Sequence, residues 1–216
     1  MNRSKSTCIL IVLTVLLGMS SCSSVDNATI NSESLEEGVY RNEYLGFSIR
    51  LPQDWALQNE EMEKKITKAG SDYLGQNDSE ARVMQEQAEA SVVYLFTLFK
   101  YPLGTVVDYN PNIIGLAENV ADYPGIQSGQ EYLEHVRNQL LGSQGNFVVS
   151  NTSETYTLDG RTFHILRTDL NFMGNIVKQK HYATKINEYI LLFTYSYYKN
   201  ETEEELLRIL KSVDFD

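Results

Sequence analysis

Apolar and polar residues alternate over GFSIRLP (46–52), placing Phe47, Ile49 and Leu51 on one side, the two-residue period of a half-buried strand. The period then changes. NEEMEKKITKAGSDYL (59–74) spaces Met62, Ile66, Ala69 and Tyr73 along one side of a helix, with Glu60 and Lys64, and Glu61 and Lys65, at i,i+4 spacing in the more favourable order. DSEARVMQEQAEA (78–90) reads as a second helical stretch, and SVVYLFTLFKYP (91–102), almost continuously apolar and aromatic, as a central strand. SGQEYLEHVRNQLL (128–141) opens with Ser128 and Glu131 at capping-box spacing and buries Tyr132, Leu133, Val136 and Leu140.

Four strand-like runs follow: NFVVSNTSETYTL, RTFHILRTDLNF, NIVKQKHYATK and EYILLFTYSYY. The short turn signals between them (Asp159-Gly160, 173–175, 186–188) predict a meander. The last run is apolar on both sides, so both should be at least partly covered. NETEEELLRILKSV (200–213) closes as a helix with acids crowded into its first turn, complementing the dipole. The stretch 104–125 stays open: Ile113, Ile114, Leu116, Ala117 and Val120 suit a helix, whereas Pro111 and Gly115 favour a strand with loops. The pattern predicts an α+β fold, a mainly antiparallel sheet flanked by helices. With no internal repeat and no Pro/Gly/Ser-rich break beyond residue 39, one globular domain over 39–216 is expected.

The amino terminus follows another logic. Arg3 and Lys5 precede ILIVLTVLLGM, about eleven largely apolar residues, and then SSC. That is the layout of a secretory signal peptide, and the run falls short of the about 20 residues that span a bilayer. Met19-Ser20-Ser21-Cys22 resembles the bacterial lipobox, an apolar residue and two small ones before a cysteine. The resemblance implies cleavage after residue 21, a signal peptide over 1–21, diacylation of the Cys22 thiol and acylation of the new amino terminus. Two or more chains, at about 0.8 kcal/mol per buried CH₂, give stable membrane anchoring. The only other cysteine, Cys8, lies in the removed segment, so no disulfide framework is expected. Residues 22–38, polar and mildly acidic, read as a lipid-anchored flexible tether, its sixteen residues after Cys22 reaching about 20–24 Å on average.

Charge narrows the partners. The chain is formally −11, and without Arg3 and Lys5 there are 16 basic residues against 29 acidic ones. That excludes the phosphate neutralisation that dominates nucleic-acid binding, and a polybasic membrane face as well. Any membrane contact is expected to run through lipid on Cys22, on the extracytoplasmic face of a cell membrane, inner or outer. The sequons at Asn27, Asn77, Asn151 and Asn200 would matter only in a eukaryotic secreted protein.

YRNEYLGFSIRLPQDW (40–55) is the most distinctive stretch after the signal segment. With Tyr40, Asn42 and Glu43, then Gly46-Phe47-Ser48-Ile49, Pro52 and Trp55, it resembles the opening of PsbP-like proteins. That fold also includes DcrB-type lipoproteins and Mog-type proteins. The end is similar: a hairpin on DGRTFHILRTDL, a final aromatic strand and an acidic-capped helix finishing in KSVDF. The resemblance implies an α/β/α sandwich whose members mostly bind or help assemble other proteins, and no shared chemistry. Gly46 would ease an unusual backbone path, Pro52 would stop the strand and Trp55 would plug the core.

Sites for chemistry are sparse. Asp108, Asn110 and Asn112 match the first acceptor positions of a calcium loop, but Ile113 and Asn119 stand where that loop needs Gly and Glu, and a plain turn is expected. His164 and His181 share a face if Met173-Gly174 forms a two-residue loop, and face apart with a three-residue loop; no third ligand is evident. With Cys8 removed and Cys22 lipidated the mature chain would offer no free cysteine, and no G-x-S-x-G elbow or glycine-rich phosphate loop is present, so no catalytic residue, metal or cofactor is expected. Tyr195, Tyr197 and Tyr198 suit either sheet packing or a ligand cleft. Two readings remain: a lipid-anchored, non-catalytic module that binds or assembles a protein partner, and an extracytoplasmic protein binding a small molecule or ion. A flat exposed apolar patch would favour the first, and an aromatic-lined pocket with convergent polar groups the second.

Overall fold

Alternation, turn chemistry and two fully buried strands build the fold. The computed structural model describes residues 33–59, 61–66, 91–143, 147–172 and 174–216. In chain order the strands are β1 (Glu33–Glu36), β2 (Val39–Asn42), β3 (Phe47–Arg50), β4 (Ala56–Leu57), β5 (Val92–Phe99), β6 (Asn112–Asn119), β7 (Phe147–Val149), β8 (Glu154–Leu158), β9 (Arg161–Phe172), β10 (Asn175–Ile186), β11 (Tyr189–Tyr197) and β12 (Asp214–Phe215). The helices are α1 (61–66), α2 (Gly129–Gly142) and α3 (Asn200–Leu210). The class is α+β. None of these helices is long and apolar enough to cross a membrane.

An antiparallel main sheet runs β4-β5-β6-β11-β10-β9-β7, with β8 also on β9. A second sheet, β1-β2-β3-β12, lies across one face together with α3; α2 and α1 cover the other. Every residue of β6 and β11 is buried, as apolarity on both sides of a strand requires. The stretch 104–125 is therefore a loop and a central strand, the alternative that Pro111 and Gly115 favoured. Gly115 has a packing reason. A Cβ there would lie 2.6 Å from the Phe96 ring, which folds over it beside a bulge between Tyr94 and Phe96.

Close pairing of Leu158 with Arg161, Phe172 with Asn175 and Ile186 with Tyr189 makes β8 to β11 the expected meander. Phe193, at its centre, lies 5.7 Å from Phe47 and 5.9 Å from Phe163, in the core between the two sheets. The distinctive opening builds this core too. Asn42 Oδ1 accepts from Leu45 N at 2.9 Å, Gly46 turns at φ +61°, and Phe47, Ile49 and Trp55 are buried there.

The capping box at α2 forms with a shift. Ser128 Oγ accepts from Glu131 N at 3.3 Å, but the Glu131 carboxylate accepts from Gln127 N, at 2.6 Å, one residue before the cap. NFVVSNTSETYTL, expected as one run, divides into β7 and β8 because α2 draws the chain between them aside. Arg137 Nε donates to Ser150 O and Thr152 Oγ1 to Glu134. The closing helix ends at Leu210, and Asp214–Phe215 pairs with β3 instead of extending it. Residues 33–36, within the stretch read as tether, form β1. The helical stretch at 78–90, Ala69, Tyr73, Glu60 and Cys22 lie outside the described residues.

Candidate ligand cleft

The first sequence candidates lie on the α2 face of the main sheet. Phe172 pairs with Asn175, so the loop has two residues and His164 stands opposite Ala183, the register that puts both histidines on one face. Among the described residues no group of three His, Cys, Asp or Glu side chains is placed to hold a metal ion. His181 belongs to a polar row buried across four strands, from Asn112 (β6) through Thr194 and Ser196 (β11) and Gln179 (β10) to Thr168 (β9). One proton arrangement satisfies it. Thr194 Oγ1 donates to His181 Nδ1 (3.0 Å), and His181 Nε2 donates to Thr168 Oγ1 (3.4 Å). Thr168 in turn donates to Gln179 Oε1 (3.2 Å), and Gln179 Nε2 to Ser196 Oγ (3.1 Å). Burial lowers the His181 pKa to about 4.

The tyrosines divide. Tyr195 and Tyr197 point under α3 and are buried. The Tyr195 hydroxyl lies 3.1 Å from that of Tyr182 and donates to Glu203, which also pairs with Lys180. Burial pushes both hydroxyls up; burial also raises the Glu203 carboxyl, but the bonds from Lys180, Tyr197 and Tyr195 outweigh it and hold the group below the usual range. On the other face, burial and the adjacent Glu118 carboxylate hold the Tyr132 hydroxyl far up, with 2.7 Å between the oxygens. These are core ties.

Tyr198, one residue past β11, lines a cleft of about 320 Å³. One wall is the loop joining β5 to β6, with Lys100, Tyr101, Val106, Val107, Asp108, Tyr109 and Pro111; the other is Tyr198 with Lys199 and Thr202 of the α3 start. The loop is closed by Asn110, whose Oδ1 accepts from Tyr101 N (3.0 Å) while its Nδ2 donates to Tyr101 O (2.8 Å). Lys100 N donates to Pro111 O at 2.8 Å. The calcium-loop candidates thus separate: Asn110 is engaged by the backbone, Asn112 is inside the sheet, and only Asp108 reaches the cleft. Tyr109 connects cleft to interior, its ring against Leu170 and Val177 and its hydroxyl accepting from Asn112 Nδ2 at 3.3 Å. Lys100 is paired with Glu205, and Val106 at the loop tip is 98% exposed. Sequence reading named Tyr198 and Asp108 separately but not their meeting, because most of the loop lay inside the undecided stretch 104–125; the further signal was Tyr101 and Tyr109 flanking strand ends.

The cleft and the incoming chain occupy opposite poles. Glu33 pairs with Asn42 beside the turn at 43–46, and Tyr44 of that turn packs on Tyr189 at 5.5 Å. Phe215 N donates to Asp159 at the next turn, 2.7 Å away. β11 runs from that pole to Tyr197 at the cleft, nine residues, or about 30 Å at about 3.3 Å each.

No family model matches the chain, and no curated protein matches its sequence. Among solved structures it is similar to cyanobacterial PsbP of Synechocystis, at 12% identity over 92% of this chain and 99% of that one, with TM-score 0.48. LpqN, described as involved in cell envelope biogenesis of Mycobacterium tuberculosis, is similar at 13% identity over 78% and 82%, TM-score 0.42. A Bacteroides thetaiotaomicron structure is similar at 10% identity, TM-score 0.43; the match covers 85% of this chain but 48% of that one, about half its length. The α+β assignment rests on the strand pairing above.

Proposed function

We propose that the chain is a lipid-anchored extracytoplasmic binding protein of a bacterium, non-catalytic, that holds a small polar ligand in the cleft between the 100–111 loop and the start of α3. The observation that carries this is the cleft itself, concave, lined by three tyrosines and bearing Lys100, Asp108, Lys199 and Thr202. The anchor rests on the Met19-Ser20-Ser21-Cys22 motif and the signal-like segment before it. An anchor at Cys22 would hold the domain by the pole opposite the cleft, leaving the cleft facing away from the membrane.

A second reading, docking of a protein, is favoured by Val148 and Ile176. They are 74% and 53% exposed and lie on one face of the sheet corner formed by β7, β9 and β10. Two residues make a small patch, so the cleft leads.

Fractionation of cells carrying the wild type and Cys22→Ala tests the address. Wild type should be recovered in membranes and Cys22→Ala in the soluble extracytoplasmic fraction; equal membrane recovery would sink the lipid anchor. A thermal-shift screen of amino acids, sugars and ions on the full chain tests the cleft. Crosslinking in the same cells tests the second reading, which is favoured if a single protein is captured and lost with Val148→Glu.

A further inference from the structure

Two uncommitted charges of opposite sign line the cleft from its two walls. Asp108 belongs to the loop wall and Lys199 to the α3 wall, and both are exposed. Neither side chain has a hydrogen bond or ion pair among the described residues, and they do not pair with each other. The neighbouring charges are engaged: Lys100 with Glu205, and Glu203 with Lys180 and the buried Tyr195 and Tyr197. The lining therefore offers one acidic and one basic group to a ligand. A lone cation would meet Asp108 but also the like charge of Lys199, and a lone anion the reverse. An uncharged molecule would answer neither and would displace water from both. A zwitterion meets the two at once, each through a charge-assisted hydrogen bond. The hydroxyls of Tyr198 and Thr202, also without a partner among the described residues, line the same space and can donate to a carboxylate. The loop wall is braced by the two bonds between Asn110 and the Tyr101 backbone, so less of the site has to be ordered on binding. The volume of about 320 Å³, at the small end of the roughly 300–1,000 Å³ usual for ligand pockets, admits an amino acid or a dipeptide.

We propose that the cleft binds a small zwitterion, a free amino acid or dipeptide, with its ammonium on Asp108 and its carboxylate on Lys199 and Thr202. This rests on the reading of the cleft as a small-ligand site and names the ligand class.

The full chain in a non-ionic detergent is titrated by calorimetry and saturation-transfer NMR with alanine, glutamine, dialanine and glycylleucine. N-acetylalanine keeps only the carboxylate and alaninamide only the ammonium; glucose, inorganic phosphate and glycerophosphoethanolamine, the zwitterion of a lipid headgroup, complete the contrasts. At least one of the four zwitterions should bind, and alanine should bind about fivefold or more tighter than either of its blocked forms. Asp108→Asn and Lys199→Gln, both at exposed positions where the fold tolerates change, should each weaken the zwitterion about fivefold or more. Binding unchanged in both variants overturns the proposal, because the ligand then sits elsewhere. Blocked forms that bind as tightly as alanine overturn it too, since only one end is then held. If glucose, phosphate or the headgroup binds and no amino acid or dipeptide does, the ligand class is wrong, and loss of that binding in either variant leaves the cleft reading standing. If no compound binds, the zwitterion is overturned, and a blank thermal-shift screen beside it takes the cleft reading as well.

Discussion

The imidazole of His181 sits 2% exposed between two hydroxyls, in a row whose bonds are complete only when the ring is neutral. A second proton at Nδ1 would face the Thr194 hydroxyl that now donates to it, with no carboxylate among the described residues bonded to the ring, and burial already lowers the pKa to about 4. The sign follows. Above the ordinary value near 6.5 both folded and unfolded chains hold this histidine neutral, and it contributes nothing to the pH dependence. Between 6.5 and about 4 the unfolded chain takes up a proton that the folded one refuses, so stability falls as pH falls and the loss is complete below about 4. Its full size is on the order of 3 kcal/mol. Urea midpoints of the wild type at pH 7 and pH 4.5 should therefore separate more than those of His181→Gln; equal separations would remove His181 as the cause. An NMR titration in which the ring stays neutral at pH 5 is the check that needs no variant. At this scale the sequence left one number open, the length of the loop at 173–174, and that number decides which face every residue of β10 presents. The same alternation sends Tyr195 and Tyr197 under α3 and Tyr198 to the cleft, a division that composition alone could not make.

Helix α2 meets the main sheet closer than any side chain allows. A Cβ on Gly129 would stand 2.1 Å from the carbonyl oxygen of Ala183, a backbone atom in a paired strand that has nowhere to yield. Gly129→Ala must lift the first turn of α2 off β10, opening the contact around Tyr132, Leu133 and Ala183, and is expected to cost about 2 kcal/mol or more. Gly142, at the other end of the same helix, has nothing within 4 Å of its added Cβ. Gly142→Ala should be neutral or stabilising by up to about 1 kcal/mol. Denaturant unfolding of the pair separates close approach from helix propensity, and similar effects at both positions would count against close approach. The start of α2 was legible because Ser128 and Glu131 act locally. The division of β7 from β8 was not, because its cause, Arg137 and Glu134 reaching across to 150–152, is tertiary. β12 was hidden for a like reason: Asp214–Phe215 is a strand only because β3 is there to pair with it.

Across the whole molecule, patterning predicted the α+β class and the meander, since β8 to β11 are joined by tight turns and need no distant partner to set their order. The second sheet was illegible because its outer strands, β1 and β12, come from opposite ends of the chain and each is four residues or fewer. That outer position has a mechanical consequence. β1 is an edge strand held by four residue pairs to β2, and its Leu35 is half exposed, so little of the core depends on it. Tension arriving through Glu33 would load those pairs before it reached Tyr40, the first residue rooted in the core. Shedding residues 33–38 would lengthen the chain ahead of Val39 by about 20 Å, at about 3.4 Å per extended residue, and leave the cleft intact. In force spectroscopy on the full chain pulled from its amino terminus, a first step of about 2 nm should precede global unfolding, and its absence would show that β1 carries load with the rest. An edge strand so placed is a fuse, giving way under pull while the core and the far pole hold.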